Sequence, residues 1–273
     1  MARHLDPQVG LIESTSGNLG MALAAIARSD DVPFTAVIDP RTPLAAVAAL
    51  RRLRATVVTA AEPDAEGGFL LSRLRIVREA LVREPRLVWT NQYENPANPR
   101  AHELGTAPEL ADQVGRRSLV LVPVSTGGTF AGIGAFARRA TDWTVIGVDI
   151  RGSRALTYVE GRRILPGIGS SRASTFLSPA DGPVRLVKST DAVSCCLWLC
   201  QQSGIGVGGS SGAVVAAALD MIRRDGVDDV VCVCPDGADR YLDTIYSKRW
   251  RDRQGMPLRL SPAVVTEVGW HAA

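Results

Sequence analysis

Short apolar runs alternate with longer amphipathic stretches along the first third of the chain. The runs at residues 9–12, 34–38, 56–58 and 87–89 have the length and composition of buried strands. The stretches between them, at residues 21–28, 44–53 and 69–82, place apolar residues at helical spacing. Apolar strands separated by helices predict a parallel sheet that is covered on both faces.

The same alternation continues after residue 100. Strands are predicted at residues 119–122, 143–148, 184–187 and 229–234, and helices at residues 132–139, 192–202 and 213–223. Residues 149–183 are rich in Gly, Ser and Pro and have weak periodicity, so we expect a long irregular stretch there. The pattern as a whole predicts an α/β protein built on parallel sheets.

Three loops place small residues and hydroxyls at predicted helix N-termini. They are Glu-Ser-Thr-Ser-Gly-Asn-Leu-Gly at 13–20, Val-Ser-Thr-Gly-Gly-Thr at 124–129 and Val-Gly-Gly-Ser-Ser-Gly-Ala at 207–213. Backbone N–H groups and the helix dipole favour an anion at such a point, a carboxylate at the first loop and a phosphate at the second. Each loop alone is also explained by ordinary helix capping and tight turns.

Composition narrows the class of protein. At 273 residues, with 46% hydrophobic and 22% charged residues, the chain has the make-up of a globular protein with a sizeable core. The net charge of +3 is small and the arginines are scattered through predicted helices, so nucleic acid is not an expected partner. The apolar runs are too short to span a bilayer and no leader pattern opens the chain, so we expect a cytoplasmic protein with no membrane partner.

The five cysteines suggest neither disulfides nor metal. Their odd number argues against a disulfide framework. Cys196 and Cys200 are four residues apart, but no histidine lies near them in the sequence. We therefore interpret the cysteines as buried thiols and predict no metal site.

Together and in this order, the three loops resemble the fold-type II pyridoxal-phosphate enzymes of the cysteine synthase group. The resemblance covers nearly the whole chain and includes Asn-Gln-Tyr-Glu-Asn-Pro-Ala-Asn at 91–98, Pro-Gly-Ile-Gly at 166–169 and Pro-Asp-Gly-Ala-Asp-Arg-Tyr-Leu at 235–242. Within the group, the chain is most similar to the synthases that join O-phosphoserine to glutamate in 2,3-diaminopropionate biosynthesis for siderophores or peptide antibiotics. That similarity rests on residues 11–14, 63–68 and 243–250, Arg73 and Tyr93.

The resemblance implies two doubly wound parallel-sheet domains and a homodimer. Residues 17–97 would form a small mobile domain that carries the substrate-carboxylate loop. Residues 1–16 and 98–273 would form the large domain that binds pyridoxal 5′-phosphate.

The resemblance also implies site residues. Asn18 would bond the 3′-oxygen of the cofactor ring, and Ser210 would meet its pyridine nitrogen. The cofactor phosphate would be held by Ser125, Thr126, Gly127, Gly128 and Thr129. The carboxylate of the first amino-acid substrate would be held by Thr15, Ser16 and Asn18.

The second substrate separates two enzymatic interpretations. Glutamate needs a cation and hydroxyls for its carboxylates, which Arg73, Tyr93 and Ser125 would supply. Sulfide, the nucleophile of a cysteine synthase, needs only a small apolar entry. Arg73 is also explained as a solvated helix residue and Tyr93 as a core aromatic, but their combination favours an amine nucleophile.

The lysines depart from the family pattern. The chain contains only Lys188 and Lys248, and neither lies in the family's Schiff-base motif, which would fall upstream of Met1. That lysine holds the cofactor and moves the substrate α-proton. We therefore expect the 273 residues to be inactive without a lysine supplied ahead of Met1. The alternative is a regulatory paralogue that has lost catalysis.

Overall fold

The computed structural model describes residues 5–15, 17–64, 68–115, 118–256 and 266–268. The chain divides into two compact units, Met1–Asn95 and Pro96–Ala273. Each unit contains one sheet with helices packed on both of its faces. The predicted fold class, two doubly wound α/β units, is therefore confirmed.

The first unit contains four strands and three helices. The strands are β1 (Leu11–Ser14), β2 (Phe34–Ile38), β3 (Thr56–Thr59) and β4 (Val88–Trp89), and the helices are α1 (Asn18–Ser29), α2 (Leu44–Arg52) and α3 (Leu70–Arg83). All strand pairs are parallel, in the order β3-β2-β1-β4. Alternate residues of β2 pack on opposite faces, since Phe34 and Ala36 contact the α1 and α2 side and Val37 contacts the α3 side.

Strand β1 lies in the first unit, on the other side of the predicted domain boundary. Residues 1–16 are predicted to belong to the large domain, but Leu11–Ser14 pair with β2 on one side and with β4 on the other. Backbone pairing on both sides makes β1 an internal strand of the first sheet. It begins at Leu11 rather than at residue 9, because residues 7–9 form a turn and Gly10 has a left-handed φ of 89°.

The second unit contains five strands. They are β5 (Leu119–Pro123), β6 (Thr144–Ile150), β7 (Val184–Val187), β8 (Val231–Cys232) and β9 (Thr266–Val268), in the order β8-β5-β6-β7-β9. The first four are parallel as predicted. Strand β9 was not predicted, and it pairs antiparallel with β7. An antiparallel edge strand on an otherwise parallel sheet is common in α/β proteins.

Helices cover both faces of the second sheet. They are α4 (Ala97–Ala101), α5 (Ala107–Val114), α6 (Gly128–Ala140), α7 (Ser189–Ser203), α8 (Gly209–Arg224) and α9 (Lys248–Arg253). Val120 and Val122 of β5 pack with Phe130 of α6, whereas Leu121 packs on the opposite face with α7 and α8. The predicted irregular stretch lies between β6 and β7, where only the short 3₁₀ turn Pro179–Asp181 interrupts it.

The helix at residues 97–114 was not predicted. It consists of α4, the π-helical turn His102–Thr106 and α5, and the backbone stays right-handed helical at both junctions. The segment contains Pro99, Gly105 and Pro108, and proline and glycine are the weakest helix formers. The sequence therefore does not predict a helix there.

The cysteines differ in burial. Cys195 and Cys196 are buried in α7 as predicted, but Cys234 is exposed. Burial raises the pKa of Cys195 and of Cys196 to about 12, so both stay protonated thiols at neutral pH. Within the described part of the chain, every helix is too short or too polar to cross a bilayer.

Candidate active site

The first predicted loop connects β1 to α1. Thr15 is buried, and its hydroxyl oxygen accepts hydrogen bonds from the N–H groups of Gly17 at 3.5 Å and Gly20 at 3.0 Å. Thr15 thus caps the start of α1, which leaves its hydroxyl proton for a ligand. Asn18 is exposed at the first position of α1, and Ser16 lies outside the described residues.

Arg73 of α3 is buried rather than solvated. It is 8% exposed, and Asp39, which directly follows β2, is 7% exposed. Arg73 Nη1 lies 3.5 Å from Asp39 Oδ2, an ion pair without hydrogen-bond geometry. Within the residues that the structure describes, Arg73 Nε and Nη1 have no hydrogen-bond partner. A buried guanidinium in this state is costly, and a carboxylate ligand would satisfy it.

Glu13 connects the end of β1 to the turn that contains Tyr93. Its fully buried carboxylate accepts hydrogen bonds from the backbone of Ser14 and Gln92, the indole of Trp89 and the hydroxyl of Thr90. Burial raises the pKa of Glu13, and the hydrogen bonds from Thr90 and Trp89 oppose that rise. The network holds in place the turn in which Tyr93 lies half-buried.

The second predicted loop connects β5 to α6. Gly127 precedes α6 with a left-handed φ of 95°, and a Cβ there would overlap the Ser174 hydroxyl. A Cβ at Gly128 would overlap the side-chain amide of Asn98. The Gly128 N–H group donates to the Thr126 hydroxyl oxygen at a long 3.5 Å, and Gly127 has no side chain to cap the helix. The other N–H groups of the first turn of α6 therefore remain for an anion. This backbone suits a phosphate group.

We expect Gly127→Ala to lower the free energy of unfolding by at least about 1–2 kcal/mol, the usual cost of a left-handed backbone for a residue with a Cβ. The overlap with Ser174 adds to that cost. Gly134→Ala in the middle of α6 is the matched control, because the atom nearest to its Cβ would be Arg138 Nη1 at 3.4 Å and alanine favours the helix. Urea unfolding compares the two variants, and equal stability of Gly127→Ala and the unsubstituted chain would contradict the left-handed backbone.

The hydroxyls of Ser125 and Thr126 in this loop have partners within the protein, as does that of Thr129. Ser125 donates its hydroxyl proton to the carbonyl of Gly169 at 3.1 Å, so its N–H group and oxygen lone pairs remain for a ligand. The Thr126 hydroxyl oxygen accepts a hydrogen bond from Asn98 Nδ2 at 3.2 Å, which leaves its proton to be donated.

The third predicted loop opens α8. Ser210 is the second residue of that helix and is 1% exposed. A Cβ on Gly208 would overlap a carboxylate oxygen of Asp236, so the motif at 235–237 packs directly against the start of α8. The Tyr241 hydroxyl donates to Asp236 Oδ2 at 2.6 Å, and burial raises the pKa of Tyr241.

Both lysines are on the surface. Lys188 is exposed at the start of α7. Lys248 has a side chain that is 81% exposed, and its Nζ lies 2.7 Å from Asp252 Oδ2. Neither amine is buried, so neither lies in a closed site of the kind that holds a reactive lysine.

His102 and Asp39 are not among the predicted site residues. His102 Nε2 lies 3.1 Å from Thr129 Oγ1, in the second loop, and His102 Nδ1 lies 3.0 Å from Thr106 Oγ1. The four-residue spacing of Asn98, His102 and Thr106 was a usable signal, but the helix that contains them was not predicted. Asp39 follows a buried strand directly, the position at which α/β sheets usually bind ligands.

The chain belongs to the pyridoxal-phosphate dependent enzymes, whose family model matches residues 2–236, and the cofactor of this family is pyridoxal 5′-phosphate. Among its relatives are two proteins named N-(2-amino-2-carboxyethyl)-L-glutamate synthase. The relative from Ralstonia nicotianae is 40% identical over 253 residues, which are 90% of this chain and 74% of the relative. The relative from Cupriavidus metallidurans is 37% identical over 256 residues, 91% of this chain and 75% of the relative. The predicted family resemblance is confirmed.

Two solved structures share the fold of this chain. An O-acetylserine dependent cystathionine β-synthase from Helicobacter pylori superposes with a TM-score of 0.79 at 30% identity. The superposition covers 89% of this chain and 79% of the Helicobacter pylori chain. A hydrogen sulfide-producing enzyme from Fusobacterium nucleatum superposes with a TM-score of 0.78 at 23% identity. The superposition covers 87% of this chain and 81% of the Fusobacterium nucleatum chain, and at this identity it supports the fold alone.

The residues of the second unit fit part of the cofactor. The left-handed Gly127 and the first turn of α6 suit its phosphate, and the buried Ser210 suits a ring nitrogen that accepts a hydrogen bond. The described residues do not fit its aldehyde, because both lysines of the chain are exposed.

Proposed function

We propose that this chain is the main part of an enzyme that joins O-phospho-L-serine to L-glutamate, giving N-(2-amino-2-carboxyethyl)-L-glutamate. The β-carbon of phosphoserine loses inorganic phosphate and forms a bond to the glutamate nitrogen, which releases a proton. The observation that carries the proposal is the buried Arg73, whose Nε and Nη1 lack hydrogen-bond partners in the described residues. The two relatives that bear this product's name support it.

The second unit would hold the cofactor. Residues 125–129 would bind the phosphate through N–H groups and the Thr126 and Thr129 hydroxyls, and Ser210 would face the pyridine nitrogen. When bound, pyridoxal phosphate supplies an electron sink for charge that develops at the substrate α-carbon. The hydroxyl of Ser210 carries no charge to hold a proton on that nitrogen, which weakens the sink and suits elimination at the β-carbon.

The first unit would hold the substrate carboxylates. The N-terminus of α1 binds the phosphoserine carboxylate through backbone N–H groups, the hydroxyls of Thr15 and Ser16, and the amide of Asn18. Arg73 binds a carboxylate of glutamate with its planar fork, and Tyr93 contributes a hydroxyl. Asp39 keeps the Arg73 guanidinium in position at 3.5 Å without occupying its N–H groups.

The Schiff-base lysine would come from a segment ahead of Met1. It would hold the cofactor and move the α-proton of phosphoserine. The complete enzyme would be a cytoplasmic homodimer that supplies 2,3-diaminopropionate for siderophore or peptide-antibiotic synthesis. Since both lysines of the chain are exposed, the 273 residues alone would be inactive.

An assay of an extended chain tests the proposal. The extension adds an N-terminal segment that carries a lysine in the family's Schiff-base motif, and the control carries Ala at that lysine. We expect the extended chain to consume phosphoserine and glutamate in equal amounts and to release phosphate, and the control to do neither. Mass spectrometry identifies the product. Much faster use of sulfide than of glutamate would replace the proposal with cysteine synthase activity, and no product from either nucleophile would favour a regulatory paralogue.

A further inference from the structure

The helix at residues 97–114 presents polar side chains to the loop between β5 and α6. Asn98, His102 and Thr106 are spaced four residues apart, and the first two contact the loop hydroxyls of Thr126 and Thr129. His102 and Thr106 are the first and last residues of the π-helical turn. Such turns are rare and occur often at functional sites.

Close packing brings this helix to the loop. A Cβ on Gly132 of α6 would overlap the Pro99 carbonyl and would lie 2.7 Å from His102 Cβ, so only glycine permits this approach. His102 is half-buried, and burial lowers its pKa, so its imidazole is neutral at neutral pH. One ring nitrogen therefore donates a hydrogen bond and the other accepts one.

Counting protons distinguishes two arrangements of these groups. If His102 Nδ1 carries the proton, it donates to Thr106, and Nε2 takes the Thr129 hydroxyl proton. The Thr129 lone pairs would then face an incoming phosphate. If Nε2 carries the proton, it donates to Thr129 Oγ1 at 3.1 Å, and Nδ1 accepts from Thr106 at 3.0 Å. Only this second arrangement leaves the Thr129 proton for an anion.

We infer that His102 and Thr106 are positioning residues that aim the Thr129 hydroxyl proton at the cofactor phosphate, with His102 in its Nε2–H form. The inference rests on the proposed assignment of residues 125–129 to that phosphate. Asn98 acts in the same sense on Thr126, because its Nδ2 donates to the Thr126 oxygen and leaves that hydroxyl proton for the ligand.

The tautomer is measured first, on the 273-residue chain labelled with ¹⁵N-histidine. The chain has three histidines, His4, His102 and His271, so the His102 signals are assigned with one His102→Gln variant. We expect His102 to show a protonated Nε2 and an unprotonated Nδ1 before any ligand is added. A protonated Nδ1 with an unprotonated Nε2 would overturn the inference.

Binding is measured next with pyridoxine 5′-phosphate, which lacks the aldehyde and so does not react with lysines, and with phosphate-free pyridoxine. We expect Thr129→Val to weaken binding of the phosphate ester about tenfold, the size of one hydrogen bond to a charged group. His102→Leu should weaken it about fivefold, and His102→Gln, whose amide N–H replaces the Nε2 donor, should stay within about twofold of the unsubstituted chain. Pyridoxine binding should not change in any of these variants.

Thr141→Val is the matched control. Thr141 lies at the other end of α6, and its hydroxyl donates to the Ala137 carbonyl. It should bind both ligands like the unsubstituted chain. If His102→Leu weakens the binding of both ligands equally, or leaves both unchanged, His102 has a merely structural role and the inference is overturned. If Thr129→Val has no effect, the phosphate assignment itself is wrong, whatever the tautomer of His102.

Discussion

Pyridoxal phosphate and borohydride should leave no site-specific adduct on the 273-residue chain, whereas the extended chain should carry one adduct per subunit. Borohydride makes a lysine–cofactor linkage permanent, so peptide mass spectrometry locates it. Lys188 and Lys248 are exposed, and their amines are not desolvated, so they should acquire only background label. The expected difference is close to all-or-none because it depends on the presence of one amine.

A substitution in the loop between β5 and α6 distinguishes site-specific labelling by pyridoxal phosphate from background labelling. Gly127→Ala should reduce the adduct in the extended chain, since it disturbs the turn before α6. The same substitution should not alter background label at Lys188 or Lys248. A stoichiometric adduct at either of these lysines, lost in Gly127→Ala, would show that the chain carries its own Schiff-base lysine and that the expectation of inactivity is wrong.

Arg73→Ala in the extended chain should lower kcat/KM for glutamate by at least about tenfold, which corresponds to about 1.4 kcal/mol of transition-state stabilisation. The physical reason is that removing one partner of a buried charge pair costs on the order of 2–5 kcal/mol. Phosphate release from O-phosphoserine without glutamate should persist, because in the proposed arrangement the N-terminus of α1, and not Arg73, would hold the first substrate. Arg73→Lys should give an intermediate loss, since lysine keeps the charge but not the planar fork.

Arg75→Ala is the control for this experiment. Arg75 lies two residues away on the same helix, but its side chain is exposed and pairs with Glu79 at 2.7 Å. It should leave glutamate use unchanged, because surface ion pairs contribute little. If Arg73→Ala abolishes phosphate release from phosphoserine while the response to glutamate persists, Arg73 serves the first substrate. Thermal unfolding of both variants checks that the loss of the Asp39 partner has not unfolded the first unit.

Strands and helices whose apolar residues recur at regular spacing could be predicted from the sequence. The alternation along β2 and β5 determined which residues face each helix layer, and every predicted strand and helix has a counterpart in the structure. The differences lie at element ends, in the helix at 97–114 and strand β9, which were not predicted, and in the unit to which β1 belongs. Gly127 and Gly128 suggest a turn, so the helix α6 is predicted to begin only at residue 132. In the structure α6 begins at Gly128, which is a glycine because a Cβ there would overlap Asn98.

The sequence by itself determined the fold class, the family, and the three loops with their residue types, because these depend on spacing of two to four residues and on short motifs. The tertiary structure alone decided the partners of those residues. Ser125 donates to a carbonyl 44 positions away, Thr129 meets a histidine 27 positions away, and Arg73 is buried beside Asp39. Packing of separate elements sets such contacts, and it also placed β1 in the first sheet through pairing on both sides. One-dimensional periodicity does not encode which elements become neighbours.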